Sequence, residues 1–188
     1  MQEYSDLKLA RLLDPSIAPT LEENTSTLSG IQADRISYTV KTRQNELKLI
    51  EIWTTNAGKA YDITFSSLVN TYDQYLPIVE NMIKTFEIAP LSLSSDGSYA
   101  KQTNSTVAEG FVSYVRSGIR IDHPSDWEVL EQNNNNNNNN SSSSNASTSV
   151  IFRSPFEDSK SDLASWREIT FTIAIDIDSV HDAGTDIE

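Results

Sequence analysis

ELKLIEIWTTNAGKAYDITFSS, residues 46–67, predicts two β-strands joined by a tight turn. In its second part Tyr61, Ile63 and Phe65 alternate with polar residues, which places these apolar side chains on one face of an extended strand. The turn contains Gly58, and glycine adopts the positive φ of such turns at little cost. We therefore predict an antiparallel hairpin with one apolar face, closing a longer meander of strands.

After this hairpin the apolar period changes to that of a helix. Between residues 71 and 86 apolar residues recur at three and four positions, as on one helical face: Tyr72, Tyr75, Leu76, Val79, Met82, Ile83 and Phe86. Asn70 is the predicted N-cap, with Asp73 in the first turn. Pro77 interrupts the pattern, so either the main helix starts near it or a longer helix kinks there.

The C-terminal part of the chain supplies further strands. The clearest is WREITFTIAIDID, residues 166–178, in which alternate apolar residues share one face: Ile169, Phe171, Ile173, Ile175 and Ile177. Shorter strands are predicted at GIRIDHP, DWEVLE and VIFRSP, and the Asn/Ser-rich tract 132–148 is predicted to be a disordered insert. Together these patterns predict an α+β fold, a mostly antiparallel sheet with a helix packed on one face.

Charge and composition exclude several kinds of partner and site. The 188 residues include 27 Asp and Glu against 14 Lys and Arg, a formal net charge of −13. Such a chain repels phosphate backbones and anionic membrane surfaces, so we expect no nucleic-acid partner. The absence of cysteine excludes disulfides and thiolate metal sites. We also expect no transmembrane segment and no signal peptide in these residues.

Five strings carry a resemblance to a known family. Three of them are similar to the closing half of a PsbP-family domain, whose fold is shared with a Ran-binding nuclear import factor: TLSGIQADRISYTV (27–40), LKLIEIWTTNAGKAYDITFSS (47–67) and YDQYLPIVENMIKTFEI (72–88). GIRIDHPSDWEV (118–129) and VIFRSPFED (150–158) resemble the opening half of such a domain. His123 departs from the family pattern, because an aromatic residue is more usual there.

The resemblance implies an unusual domain order. The closing half comes first (1–88), a linker follows (89–110), and the opening half comes last (111–188). The chain would then be a piece of a tandem array, cut inside two repeats. Alternatively, the two halves complete each other as in a circular permutant, which the linker permits because about 20 extended residues reach about 66 Å.

The resemblance also implies a function. Photosynthetic members of the PsbP family are peripheral subunits of photosystem II that support calcium and chloride retention at the manganese cluster. By this resemblance the chain is a non-enzymatic accessory or binding module, extracytoplasmic or at the cell surface, with a protein partner and peripheral to a membrane complex. Two alternatives stay open: a divalent-cation (calcium-type) binding protein, and a structural piece of a surface tandem-domain protein.

The acidic C-terminal segment is the candidate metal site. Asp176, Asp178, His181 and Asp182 lie close together in the sequence, and carboxylate oxygens suit Ca²⁺. Their spacing is not that of an EF-hand loop. The alternative interpretation is a solvated strand face that continues into an acidic tail.

No catalytic or cofactor-binding residue is predicted. The G-x-S-x-G motif and both glycine-rich phosphate-binding motifs are absent. A hydrolase would need a pocket that joins His123 or His181 to a hydroxyl and a carboxylate, and a structural role for His123 in a turn is the alternative. The three tryptophans either line a ligand groove or fill the core: Trp53, Trp127 and Trp166.

Overall fold

A computed structural model describes residues 6, 8, 22–41, 43, 45–88, 107–135, 146–155 and 169–177. Within these residues one helix and ten strands have defined bounds, and Asp6 and Lys8 also have helical backbone geometry. The elements are β1 (Glu22–Leu28), β2 (Ile31–Lys41), β3 (Glu46–Asn56), β4 (Lys59–Leu68), α1 (Val69–Thr85), β5 (Glu87–Ile88), β6 (Phe111–Arg116), β7 (Ile119–Pro124), β8 (Glu128–Asn135), β9 (Ala146–Arg153) and β10 (Thr170–Ile177).

The strands form two antiparallel sheets. A seven-stranded sheet has the order β1-β2-β3-β4-β10-β9-β8, and a three-stranded sheet has the order β5-β7-β6. At the centre of the larger sheet β4 pairs with β10, so that Ile63 lies opposite Ile173. Strands from both sides of residues 89–106 therefore share one sheet. The division of the chain into halves of PsbP-like domains stays a prediction.

One core lies between the inner face of the larger sheet and a second layer made of α1 and the smaller sheet. The sheet contributes residues such as Phe65 and Phe171, which are 0 % exposed. From the second layer, Met82 of α1 and Ile121 of β7 are equally buried in the same cluster. Because strand side chains alternate between faces, a smaller cluster forms on the outer face of the sheet. Its buried members are Ile36, Tyr38 and Trp53.

The predicted α+β class is wrong, because the chain is mostly antiparallel β. Within the described residues a helical period occurs at length only in α1, whereas the part from residue 111 onward contributes strands alone. The smaller sheet covers part of the inner face that an α+β sandwich would cover with helix.

The predicted hairpin is confirmed. β4 pairs along its whole length with β3 from Leu47 to Asn56, and the two strands are joined by Ala57 and Gly58, with φ of 50° and 75°. Both central residues of a type I′ turn need positive φ, and the backbone twist of this turn matches the right-handed twist of the strands. The turns at Ser29–Gly30 and Ser117–Gly118 have the same pair of positive φ angles.

The predicted helix is confirmed, but its start is different. α1 begins at Val69, directly after β4, and Pro77 lies inside one continuous helix. Leu68 precedes the helix and supplies no side-chain cap, so Asn70 is not the N-cap and no acidic residue lies in the first turn. Instead, the Thr71 hydroxyl donates a hydrogen bond to the Leu68 carbonyl at 3.2 Å.

The predicted insert 132–148 is partly strand. β8 continues through Asn135 and β9 begins at Ala146, and these two residues pair. The pattern of polar side chains did not indicate this, because a strand ladder is held by backbone groups that every residue except proline has. Residues 136–145 lie outside the described residues.

Candidate functional site

The predicted metal ligands are described only in part. Asp176 belongs to β10, where its backbone pairs with Ala60 of β4 and Ser147 of β9. Asp178, His181 and Asp182 lie outside the described residues. Among the residues that are described, no group of three or more His, Cys, Asp or Glu side chains could hold a metal ion. The calcium site therefore stays a prediction.

His123 is a buried strand residue rather than a turn residue. It lies in β7 with 6 % exposure, and its ring centroid is 4.9 Å from that of Phe152. Its Nδ1 lies 2.9 Å from the Pro124 carbonyl oxygen. Burial lowers the pKa of His123 below its usual value, because the charged ring would lose its hydration. The imidazole is therefore neutral at physiological pH and belongs to the core.

A hydroxyl and a carboxylate contact each other one position from His123 along β7, but the His123 ring packs on Phe152 instead. The Ser113 hydroxyl donates to Asp122 Oδ1 at 2.5 Å, and Arg120 Nη2 donates to the same oxygen at 3.0 Å. Adjacent strand residues point to opposite faces, so Asp122 and His123 diverge. The hydroxyl, carboxylate and imidazole that a hydrolase would need are thus not assembled here.

The Arg120–Asp122 pair ties the smaller sheet together. Both side chains are almost fully buried, with 6 % and 5 % exposure, and Arg120 Nη1 also lies 3.3 Å from Glu87 Oε1 of β5. The Asp122 backbone N–H donates to the Thr85 hydroxyl at 3.0 Å, which links β7 to the end of α1. This network holds β5, β6 and β7 in register with the helix.

A cleft of about 570 Å³ lies where β1, β2, α1 and β5 meet. Hydroxyl groups line the side formed by the end of β1 and its turn, and both apolar lining residues come from the other side, Ile83 and Phe86. The Ile88 N–H donates to the Ser29 hydroxyl at 3.0 Å, which fixes the β1–β2 turn against β5. The remaining lining residues are Ser26, Thr27, Gly30, Arg35, Glu80, Lys84 and Glu87.

Charges of both signs line this cleft. Arg35 of β2 makes a two-point contact with Glu80 of α1, with Nη2–Oε1 at 2.5 Å and Nη1–Oε2 at 3.3 Å. This planar pairing fixes both side chains and braces the helix against the sheet. Lys84 and Glu87 also line the cleft and are exposed. The cleft therefore offers charged groups of both signs, of which Arg35 and Glu80 are held in place by each other.

A second polar cluster lies on the outer face of the larger sheet. Lys8 Nζ is 2.7 Å from Glu51 Oε2 and also forms an ion pair with Asp62. The same ammonium group lies 5.1 Å from the centroid of the Trp53 ring. Tyr38 donates a hydrogen bond to Glu51. Burial, together with this bond to the Glu51 carboxylate and its charge, raises the pKa of Tyr38 well above its usual value.

The tryptophans that the structure describes fill packed positions. Trp53 belongs to the apolar cluster on the outer face of the larger sheet and is 1 % exposed. Trp127 is 6 % exposed, and its ring centroid lies 6.5 Å from that of Tyr75. Trp166 lies outside the described residues. Trp53 is nonetheless in contact with a cation, a role that the sequence patterns did not suggest.

Sequence patterns did not identify either the cleft or the polar cluster on the outer face of the larger sheet. One signal for this polar cluster was present, because Leu49 and Trp53 put large apolar side chains on the face of β3 that also carries Glu51. A strand with apolar residues on both faces is typical of a sheet covered on both sides. No comparable sequence pattern indicated the cleft, because the cleft depends on how α1 packs beside the β1–β2 turn.

Among the described residues, no helix is long and apolar enough to cross a membrane. No protein-family model, no curated protein and no solved structure matches the chain.

Proposed function

We propose that this chain is a non-enzymatic binding module that holds a polar segment of a protein partner in the cleft beside the β1–β2 turn. The observation that carries the proposal is the lining of the cleft, in which hydroxyls and charges of both signs are held by the fold around about 570 Å³. A site of this size is ample for several side chains of a partner.

The composition of the lining favours a protein segment over a small apolar molecule. Pockets for small molecules are lined mainly by apolar and aromatic side chains with few polar groups. Here Ile83 and Phe86 are the apolar lining residues, and both are buried, at 5 % and 1 % exposure. A surface of hydroxyls, Arg35, Glu80 and Lys84 is instead typical of the polar, solvent-accessible part of a protein interface.

A non-enzymatic role is favoured by how the potential reactive groups are used. His123 is packed on Phe152, and the Ser113 hydroxyl donates to a carboxylate that Arg120 already neutralises. The sequence resemblance to the PsbP family adds support for an accessory role, outside the cytoplasm or at the cell surface and peripheral to a membrane complex. In such a role the fold presents a surface and performs no chemistry.

The test is a titration of ¹⁵N-labelled protein with an array of pentapeptides that each carry one glutamate and one lysine. We expect a subset to bind and to shift the amide signals of Ser29, Gly30, Lys84 and Glu87, because these residues line the cleft. The Lys84→Glu variant should weaken this binding about tenfold, since a charge reversal at an interface replaces attraction by repulsion.

The control is Lys41→Glu, which makes the same charge change at the far end of β2 from the turn. Lys41 is 76 % exposed and pairs only loosely with Glu46, at 3.6 Å. This variant should bind the peptides as the unmodified chain does. The proposal is contradicted if no peptide shifts the cleft amides, or if both variants weaken binding equally.

A further inference from the structure

The polar cluster around Lys8 on the outer face of the larger sheet shares no residue with the cleft. We propose that Tyr38, Glu51, Trp53 and Asp62 form a recognition site for an alkylammonium group. In this structure Lys8 occupies the site as an internal ligand, and a lysine side chain of a partner protein can replace it. We call these four residues the ammonium site.

The strand register builds the ammonium site. In the β3–β4 hairpin Trp53 lies opposite Asp62, and Glu51 lies opposite Thr64. Residues two apart on a strand share a face, so Glu51 and Trp53 stand side by side with Asp62 across from them. Diagonal neighbours on adjacent strands are close enough for their side chains to contact one group. Two carboxylates and an indole ring thus converge from fixed backbone positions.

The three groups match a cation on a flexible stem. Lys8 Nζ is 2.7 Å from Glu51 Oε2, is paired with Asp62, and lies 5.1 Å from the Trp53 ring centroid. A lysine ammonium is a compact charge with three donors, so it can satisfy two carboxylates at once. Aromatic faces attract cations, and tryptophan does so most strongly. An anion would be repelled by the Glu51 and Asp62 carboxylates, and a neutral group would not balance their charge.

The two carboxylates of the ammonium site also accept hydrogen bonds that do not involve Lys8. The Tyr38 hydroxyl donates to Glu51, and the Thr64 hydroxyl donates to Asp62 Oδ1 at 3.4 Å. Each carboxylate therefore accepts a hydrogen bond from a strand residue in addition to its contact with Lys8, and β2, β3 and β4 supply every side chain of the site. Trp53 and Asp62 are only 1 % and 9 % exposed.

Site and internal ligand come from distant parts of the chain. Lys8 precedes β1 and is separated from Glu51 by 43 positions, whereas every residue of the ammonium site lies on a strand of the sheet. Largely buried carboxylates are costly without a cation, so the site requires one at all times. Another ammonium group can replace Lys8 at little cost, and a neutral group cannot.

The test is chemical rescue of a Lys8→Ala variant with butylammonium chloride, which has the same four-carbon stem as lysine. The variant should unfold at a lower temperature than the unmodified chain. Butylammonium should restore at least about half of the lost Tm, because binding to the folded state stabilises it. Sodium chloride at equal ionic strength should restore none of it.

The matched control is Lys48→Ala. Lys48 Nζ lies 4.4 Å from the centroid of the Tyr72 ring, a cation–aromatic contact outside the ammonium site. Butylammonium should not rescue this variant. Failure to rescue Lys8→Ala, or equal rescue of both variants, overturns the proposal.

A second arm tests whether a protein lysine can enter. A short peptide with one internal lysine should shift the indole N–H signal of Trp53, which a Trp53→Phe variant assigns. The peptide should bind the Lys8→Ala variant at least about ten times more tightly than it binds the unmodified chain, because in the variant it does not compete with Lys8. The same peptide with norleucine in place of lysine should not bind. If butylammonium binds and the lysine peptide does not, the assignment to a partner's lysine is overturned.

Discussion

Phe65 of β4 lies directly opposite Phe171 of β10, and both side chains are fully buried in the core. The ring of Phe171 also packs edge-on against Phe152 of β9, with centroids 6.0 Å apart. Through these contacts the N-terminal hairpin and the C-terminal strands are joined in one hydrophobic core. The cleft and the ammonium site both belong to a unit built from distant parts of the chain.

The first prediction concerns this shared core. Phe171→Ala should lower the free energy of unfolding by about 3–5 kcal/mol, because it removes a large buried ring and leaves a cavity. Chemical denaturation followed by far-UV circular dichroism measures the change. Val112→Thr is the control, because Val112 is 43 % exposed and the substitution keeps a β-branched side chain; its effect should stay within about 0.5 kcal/mol. Equal effects of the two substitutions would contradict the packing described here.

The second prediction concerns the buried Arg120–Asp122 pair. Arg120→Met should cost about 3–5 kcal/mol of unfolding free energy, because it leaves the Asp122 carboxylate buried without its cation. Glu87→Gln should cost less than about 1 kcal/mol, since Glu87 is 50 % exposed and its pair with Arg120 is screened by water.

The double variant Arg120→Met/Asp122→Leu separates charge from packing. It removes the unpaired carboxylate, so we expect it to be more stable than Arg120→Met alone. A double variant that is less stable than Arg120→Met would show that the charge of Asp122 is not the source of the loss.

The third prediction is a pH dependence that comes from His123. Its pKa is lowered by burial in the folded state, whereas in the unfolded chain it stays near the ordinary 6.5. Below that pH the unfolded state binds a proton that the folded state resists, so stability falls as the pH drops through 6.5 toward the folded-state pKa. Above 6.5 the contribution of His123 should be constant.

Urea denaturation between about pH 5 and pH 8 checks this dependence around the usual histidine pKa. In a His123→Phe variant the part of the slope that His123 supplies should disappear, while a His181→Gln variant should retain it. If the unmodified chain and His123→Phe give parallel curves, burial of His123 does not set its pKa.

The fourth prediction concerns calcium. If the acidic segment binds Ca²⁺, the amide signals of Asp176, Asp178, His181 and Asp182 should shift on titration, because carboxylate oxygens are the ligands that this ion prefers. In a double variant, Asp178→Asn/Asp182→Asn, Ca²⁺ should no longer shift these amide signals. A titration that moves no signal in this segment would remove the calcium-binding alternative.

The local elements of this fold follow from short-range patterns. Alternation at Ile63 and Phe65 predicted β4, and alternation from Ile169 to Ile175 predicted β10, because period two is a property of the strand itself. The helical period near Val79 and Met82 predicted α1 in the same way. For these residues the burial agrees with the predicted apolar faces.

Long-range pairing could not be predicted in this way. The sequence permitted β10 to meet β4, but no local pattern identifies the partner of a strand. Asp62 shows the consequence for the site. Alternation placed it on a polar face, yet it is 9 % exposed because Lys8 and Trp53 gather around that position. The start of α1 is a similar case, since β4 runs directly into the helix without the capping residue that the sequence offered.

The most direct test of this account is a nuclear Overhauser spectrum of the chain, examined for contacts between β4 and β10. Paired residues of antiparallel strands bring either their amide or their α protons close together, in alternation along the ladder. The structure predicts such cross peaks for the successive pairs Ile63–Ile173 and Thr64–Thr172. Cross peaks within the β3–β4 hairpin but none between β4 and β10 would show that the two parts of the chain do not form one unit, and would contradict the account.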